Sequence, residues 1–124
     1  MAVTVKISIG ANANRAIQMM RARNLLTKEL EGIRFTRMLT MPAYDKPKEG
    51  VFYSNMLATF STEMDETTLI TLLKKFELEL DDTPELRKSG TVMMDIDLLQ
   101  YDEERRHTDD WQRAYIKQLM EELG

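Results

Sequence analysis

Apolar and polar residues alternate at the start of the chain, with Val3, Val5, Ile7 and Ile9 set against Thr4, Lys6 and Ser8. Successive side chains of a strand point to opposite faces, so this pattern predicts a strand with one buried face. Gly10-Ala11-Asn12 interrupts it. Ala16, Met19, Met20, Leu26 and Leu30 then recur at roughly helical spacing and predict a helix over 14–30, with Gly32 suited to ending it. Ile33, Phe35, Leu39 and Met41 alternate with Arg34, Thr36, Met38 and Thr40 and predict a second strand over 33–41, stopped at Pro42, with Arg37 interrupting the apolar set. The stretch 43–50, with Lys46, Pro47, Lys48 and Gly50, reads as a loop. A third strand is expected over 52–60, carrying Phe52, Met56, Ala58 and Phe60 on one face and Tyr53, Asn55, Leu57 and Thr59 on the other.

Asp65 suits a helix N-cap. Leu69, Leu72, Leu73, Phe76 and Leu80 follow it as the clearest helical stripe of the sequence. Asp81-Asp82-Thr83-Pro84 is read as the end of that helix, 85–90 as a loop, 91–99 as the fourth strand and 102–106 as a charged connector. Trp111, Tyr115 and Leu119, at steps of four, predict a last helix over 110–123. The order is strand, helix, strand, strand, helix, strand, helix. It implies one α+β domain over 1–124, ferredoxin-like βαββαβ with an additional C-terminal helix and a four-stranded antiparallel sheet.

The 124 residues suit a single domain, and 43% hydrophobic residues suffice for a core. A net charge of −4 argues against nucleic acid as a partner, because phosphate backbones demand clustered positive charge. There is no cysteine, hence no disulfide and no thiolate metal site. No apolar run approaches a membrane span, the first ten residues do not form a signal peptide, and a cytoplasmic protein is expected, monomer or homodimer. The ten methionines read as adaptable core filler.

Strand parity supplies the candidate chemistry. If Val92, Met94, Ile96 and Leu98 face the helices, Asp95 and Asp97 share the opposite face with Lys6, Ser8, Tyr53 and Asn55. Residues two apart on a strand lie roughly 6.5 Å apart, where two carboxylates repel unless a cation stands near them. Two oxygen ligands suit Mg²⁺, which completes its shell with waters and substrate phosphates. An alternating solvated strand face is the plainer account of the same pair. Asn55 offers donors and an acceptor to a heteroaromatic ring edge, and Tyr53 offers stacking or a hydrogen bond. Each is equally an ordinary half-exposed strand residue. The single histidine, His107, with no cysteine beside it, argues against zinc. No nucleotide-binding glycine loop or nucleophile motif is present.

Several segments, in order, resemble one family. Ile7-Ser8-Ile9-Gly10-Ala11-Asn12 resembles its opening strand and I-G-S-N turn, and Thr40-Met41-Pro42 its T-x-P segment. Phe52-Tyr53-Ser54-Asn55 matches its Y-x-N, and Met94-Asp95-Ile96-Asp97-Leu98-Leu99 its L-D-x-D-[IL]-[LM] strand. His107, Asp109, Arg113 and Tyr115 match H-x-D-x-x-x-R-x-F. The family is the 6-hydroxymethyl-7,8-dihydropterin pyrophosphokinases of folate synthesis. The resemblance implies a ferredoxin-like fold, ATP as co-substrate, and Mg²⁺ held by Asp95 and Asp97. It implies a pterin-like ring held by Tyr53, Asn55 and Tyr115, and phosphates or nucleotide faced by Lys88, His107 and Arg113. Ser89 stands where the family has tryptophan, Val92 where it has a phosphate-facing arginine, and Ala114 where it has glycine. Losing one such charge contact costs on the order of 100-fold in rate. The chain thus reads as a pyrophosphokinase-like enzyme. A pterin- or nucleotide-binding module without catalysis, or a structural protein that self-associates through the open sheet face, are the alternatives.

Overall fold

The computed structural model describes residues 1–43 and 50–124; apart from its end residues, the loop expected over 43–50 lies outside the described residues. In chain order the elements are β1 (Val3–Ala11), α1 (Arg15–Glu29), β2 (Arg34–Phe35), β3 (Leu39–Pro42) and β4 (Phe52–Thr62), then α2 (Glu66–Glu79) and α3 (Pro84–Lys88). β5 (Asp95–Tyr101), β6 (Glu104–Arg105) and α4 (Ala114–Met120) complete them, with 3₁₀ turns at Asp110–Gln112 and Glu121–Leu123. The fold is α+β on one antiparallel sheet, ordered β2-β4-β1-β5-β6 with β3 also paired to β4.

The sheet has six strands, not the expected four. One addition is β6, a short hairpin return within the charged connector. The other arises because the strand expected over 33–41 is broken. Phe35 pairs with Ala58 but Leu39 pairs with Asn55, so one extra residue is accommodated between them. At the break the Thr36 amide donates to Leu57 O (2.9 Å) while the Thr36 hydroxyl accepts from Leu57 N (2.9 Å). Such a bulge reverses side-chain parity. Ile33 and Phe35 pack on the helix side, whereas Leu39 packs on the opposite face.

The helix-covered face holds the larger core. Val5, Ile7 and Ile9 of β1 are fully buried there with Met56, Ala58, Phe60, Ile96 and Leu98. From α2, Leu69, Leu73 and Phe76 cover them, each burial contributing about 1.5–3 kcal/mol. Asp65 caps α2 by accepting from Thr68 N (2.8 Å), as its sequence position predicts. In α1 the buried set is Gln18, Met19, Ala22 and Leu26; Met20, expected inside, is exposed. Thr83-Pro84 does more than end α2: Thr83 caps α3 at Leu86 N and Pro84 occupies its first turn, so a one-turn helix stands where a loop was expected.

The expected C-terminal helix is divided at Arg113, whose backbone is extended (ψ 135°). Trp111 therefore leaves the helical register; its indole N–H donates to Leu99 O and Arg106 O, both at 3.1 Å. Trp111, Ile116, Leu119 and Leu123 pack on Leu57 and Leu99 and cover part of the second sheet face. The uncovered part carries the site.

Candidate active site

Register places the floor of the site. Gly10 pairs with Asn55 on one side and Asp95 on the other, and Ser8 pairs with Leu57 and Asp97. Ser8, Asn55, Asp95 and Asp97 thus share one face of three adjacent strands and line a cavity of about 260 Å³. Gly10, expected to break the first strand, lies within β1 and allows a close approach: a Cβ there would stand 2.6 Å from Asn55 Oδ1. The missing side chain lets the Asn55 amide lie across β1.

Burial, and then the neighbouring Asp95 carboxylate, push the Asp97 carboxyl up from 3.8 to about 7. Lys74 opposes that rise. Behind the pair, Glu77 is 5% exposed and accepts from Ile96 N (2.7 Å), which satisfies an amide on the far edge of β5. Burial raises its pKa as well.

The wall of the cavity runs from α3 into β5 and owes its shape to side chains. Asp82, 6% exposed, accepts from Met93 N (2.9 Å) and Met94 N (3.2 Å) through Oδ1, and from Arg87 Nε (2.8 Å) through Oδ2. Asn12 donates to Gly90 O (2.9 Å) and accepts from Val92 N (2.7 Å), and Gln18 donates to Met93 O (2.9 Å). These bonds occupy the groups a strand would use, so β5 begins at Asp95 and not at 91. Val92, expected on the helix side, lines the cavity instead.

Tyr53, Arg113 and Tyr115 complete the predicted set that lines this cavity. Arg113 lies 3.4 Å from Asp110 Oδ1 and also hydrogen-bonds the Tyr115 hydroxyl; burial is the main cause of that phenol's raised pKa. His107 lies elsewhere, in the left-handed region (φ 53°), lining a second cavity of about 250 Å³ with Lys74, Arg106 and Leu73. Asp97 borders both cavities. Lys88 is exposed at the end of α3 and lines neither. Arg87, Ser8 and Asp110 line the first cavity without having been singled out as site residues. Ser8 follows from strand parity, whereas the placement of Arg87 depends on α3, where the sequence predicts a loop.

Among the described residues no group of three or more His, Asp or Glu side chains forms a metal cage. The donor chemistry fits Mg²⁺ nonetheless: Asp95 and Asp97 share one face of β5, and burial followed by the neighbouring Asp95 carboxylate disfavours the charged form of Asp97, a situation that a hard cation relieves. No helix of the described residues is long and apolar enough to cross a membrane.

Two carboxylates, the Asn55 amide and two tyrosines thus line one cleft on the antiparallel sheet of an α+β protein. A family model, 7,8-dihydro-6-hydroxymethylpterin-pyrophosphokinase (HPPK), matches residues 6–124. The chain belongs to that family, a family of pyrophosphokinases, which are transferases of folate biosynthesis. A comparison with curated proteins gives no match.

Proposed function

We propose that the protein transfers the β,γ-pyrophosphate of ATP to the hydroxymethyl group of a dihydropterin or a closely similar ring. The observation that carries this reading is that Asp97, beside Asp95, is shared by the linings of two cavities. The first suits the ring acceptor, with Asn55 on its polar edge and Tyr53 and Tyr115 against its body. The second, with His107, Arg106 and Lys74, suits the nucleotide. Arg113, and Lys88 from the solvent side, serve the phosphates. Asp95 and Asp97 would hold Mg²⁺, which when bound supplies charge neutralisation to the phosphates.

In the reaction the hydroxymethyl oxygen bonds to the β-phosphorus. The bond from that phosphorus to the oxygen bridging the α-phosphate breaks, and AMP leaves with the electron pair. The hydroxyl proton passes to water, and no covalent enzyme intermediate forms. Holding both substrates in line is the main contribution of the residues, since phosphoryl-type transfer depends on positioning and charge stabilisation.

We also take residues 1–124 as one domain and the sheet as an elaborated ferredoxin-like core, with β2 and β3 as one interrupted strand and β6 as an appended hairpin. Val92 in the cavity, where a phosphate-facing cation would be expected, favours a second reading: a pterin- or nucleotide-binding module without turnover.

The test is AMP formation from ATP and Mg²⁺, with and without 6-hydroxymethyl-7,8-dihydropterin. AMP that depends on the acceptor and equals the pyrophosphorylated product supports the transferase. Binding of either substrate without AMP selects the binding module, and absence of both sinks the two readings together.

A further inference from the structure

We propose that Arg87 is a further group that neutralises phosphate charge in this cleft, beside Arg113, with Asp82 as its positioning residue; the proposal rests on the pyrophosphokinase reading. Val92 lines the cavity but carries no charge, so phosphates there must meet a cation from elsewhere. Both guanidinium groups lining that cavity already meet carboxylates, and they differ in the side from which they are held. Arg113 is engaged by Asp110 (3.4 Å) and by the Tyr115 hydroxyl. Arg87 is held from behind: Nε donates to Asp82 Oδ2 (2.8 Å) and Nη2 to Met94 O (3.0 Å).

Its only contact with the carboxylate pair is a long one, Nη2 to Asp95 Oδ1 at 3.4 Å. No described residue takes a hydrogen bond from Nη1. A guanidinium presents five donors in a fixed fork suited to phosphate oxygens, and here the fork is oriented from behind with two donors unspent.

Asp82 fixes this geometry. It is buried, its Oδ1 binds the amides of Met93 and Met94, and its Oδ2 binds Arg87. One carboxylate thus sets both the backbone leading into Asp95 and the cation beside it. A preorganised charge in a partly desolvated cleft costs no reorganisation during transfer, which is where such groups act most strongly.

The test uses the full chain with Mg²⁺ and two probes, inorganic pyrophosphate and ATP, by calorimetry, together with AMP formation. Arg87→Gln is expected to weaken pyrophosphate binding about tenfold and lower kcat on the order of 100-fold, leaving affinity for the ring acceptor unchanged. Guanidinium ion added to Arg87→Gln, or a second change Val92→Arg in that background, is expected to restore part of the loss. Asp82→Asn keeps an acceptor for the two amides but removes the charge partner of Arg87; it should lower kcat while KM for the ring acceptor holds and the melting temperature falls less than in Asp82→Ala.

Wild-type binding or turnover that Arg87→Gln leaves unchanged overturns this proposal alone. A loss that follows a lowered melting temperature and resists both forms of rescue assigns Arg87 a structural role and overturns it too. If the wild type binds neither pyrophosphate nor ATP, the proposal falls together with the pyrophosphokinase reading.

Discussion

The floor and the wall of the cleft are held by different means. On the floor, Ser8, Asn55, Asp95 and Asp97 are carried by β1, β4 and β5, whose continuous register sets each side chain by parity. In the wall, the backbone from Gly90 to Met94 is held by the side chains of Asn12, Gln18, Asp82 and Arg87. On the floor, Asn55, Asp95 and Asp97 match the motifs of the family resemblance. The wall carries Ser89 and Val92 in place of two motif residues. The contrast has a physical reason at Val92: its side chain lines the cleft but does not hold the wall, whose backbone Asp82, Asn12 and Arg87 keep in place.

The largest effect expected is on the floor. Asp95→Ala with Asp97→Ala should lower acceptor-dependent AMP formation at least about 100-fold, the scale for losing a principal charge-stabilising element. The same variant should fold normally, since it removes two crowded carboxylates and no apolar contact. Undiminished AMP formation would remove the carboxylates from the chemistry.

The wall should break by a different route. Asp82→Ala leaves the Met93 and Met94 amides without acceptors and Arg87 without its anchor, a cost of about 3 kcal/mol. Hydrogen exchange at Met93 and Met94 should accelerate first, while the amides of Ile7 and Ile9 in the centre of the sheet stay protected. Uniform acceleration across both regions would show that floor and wall unfold as one unit and would undo the comparison.

That division also marks what was legible in the sequence. β1, α2, the strand faces of Asn55 and the aspartates, and the Asp65 cap follow from local period and local chemistry, and the structure has them. The bulge after Phe35 was not legible, because one extra residue leaves the alternation of apolar letters intact while reversing which face they occupy. Arg37 amid the apolar set was the only sign. The start of β5 and the position of Val92 depend on hydrogen bonds from residues up to 80 positions away, which no local pattern carries. Thr83-Pro84, by contrast, is a helix-start signal that was available and was read as a stop. The break at Arg113 hides behind a regular step of four from Trp111 to Tyr115 to Leu119.

A smaller effect sharpens the floor alone. Asp97 titrates ordinarily at 3.8 but at about 7 in the folded chain. Between those values the native state keeps a proton that the unfolded chain has released. Its stabilising contribution is therefore complete below about 3.8 and is lost as pH rises through about 7 in the absence of metal. Binding of Mg²⁺ must displace that proton, so apparent affinity should rise about tenfold per pH unit below 7 and level off above it. Calorimetric titration of Mg²⁺ at pH 6 and pH 8 checks this, and equal affinity at both would mean that the carboxylate pair is not the site.

The smallest effect tests whether the floor recognises the ring through Asn55. In Gly10→Ala the new methyl would stand 2.6 Å from Asn55 Oδ1, the far end of a side chain that can swing aside, and an ordinary 3.5 Å from Ser54 O. The sheet should therefore survive with little change in melting temperature. The displaced amide should lose a hydrogen bond to the ring, about 1 kcal/mol and roughly fivefold in affinity. Fluorescence titration with a pterin gives that number directly. Unaltered affinity would mean that Asn55 does not hold the ring, whereas a collapse of folding would mean that its side chain is locked in place. Because the substitution alters neither the carboxylates nor the wall, its effect on ring binding reads the sheet floor by itself.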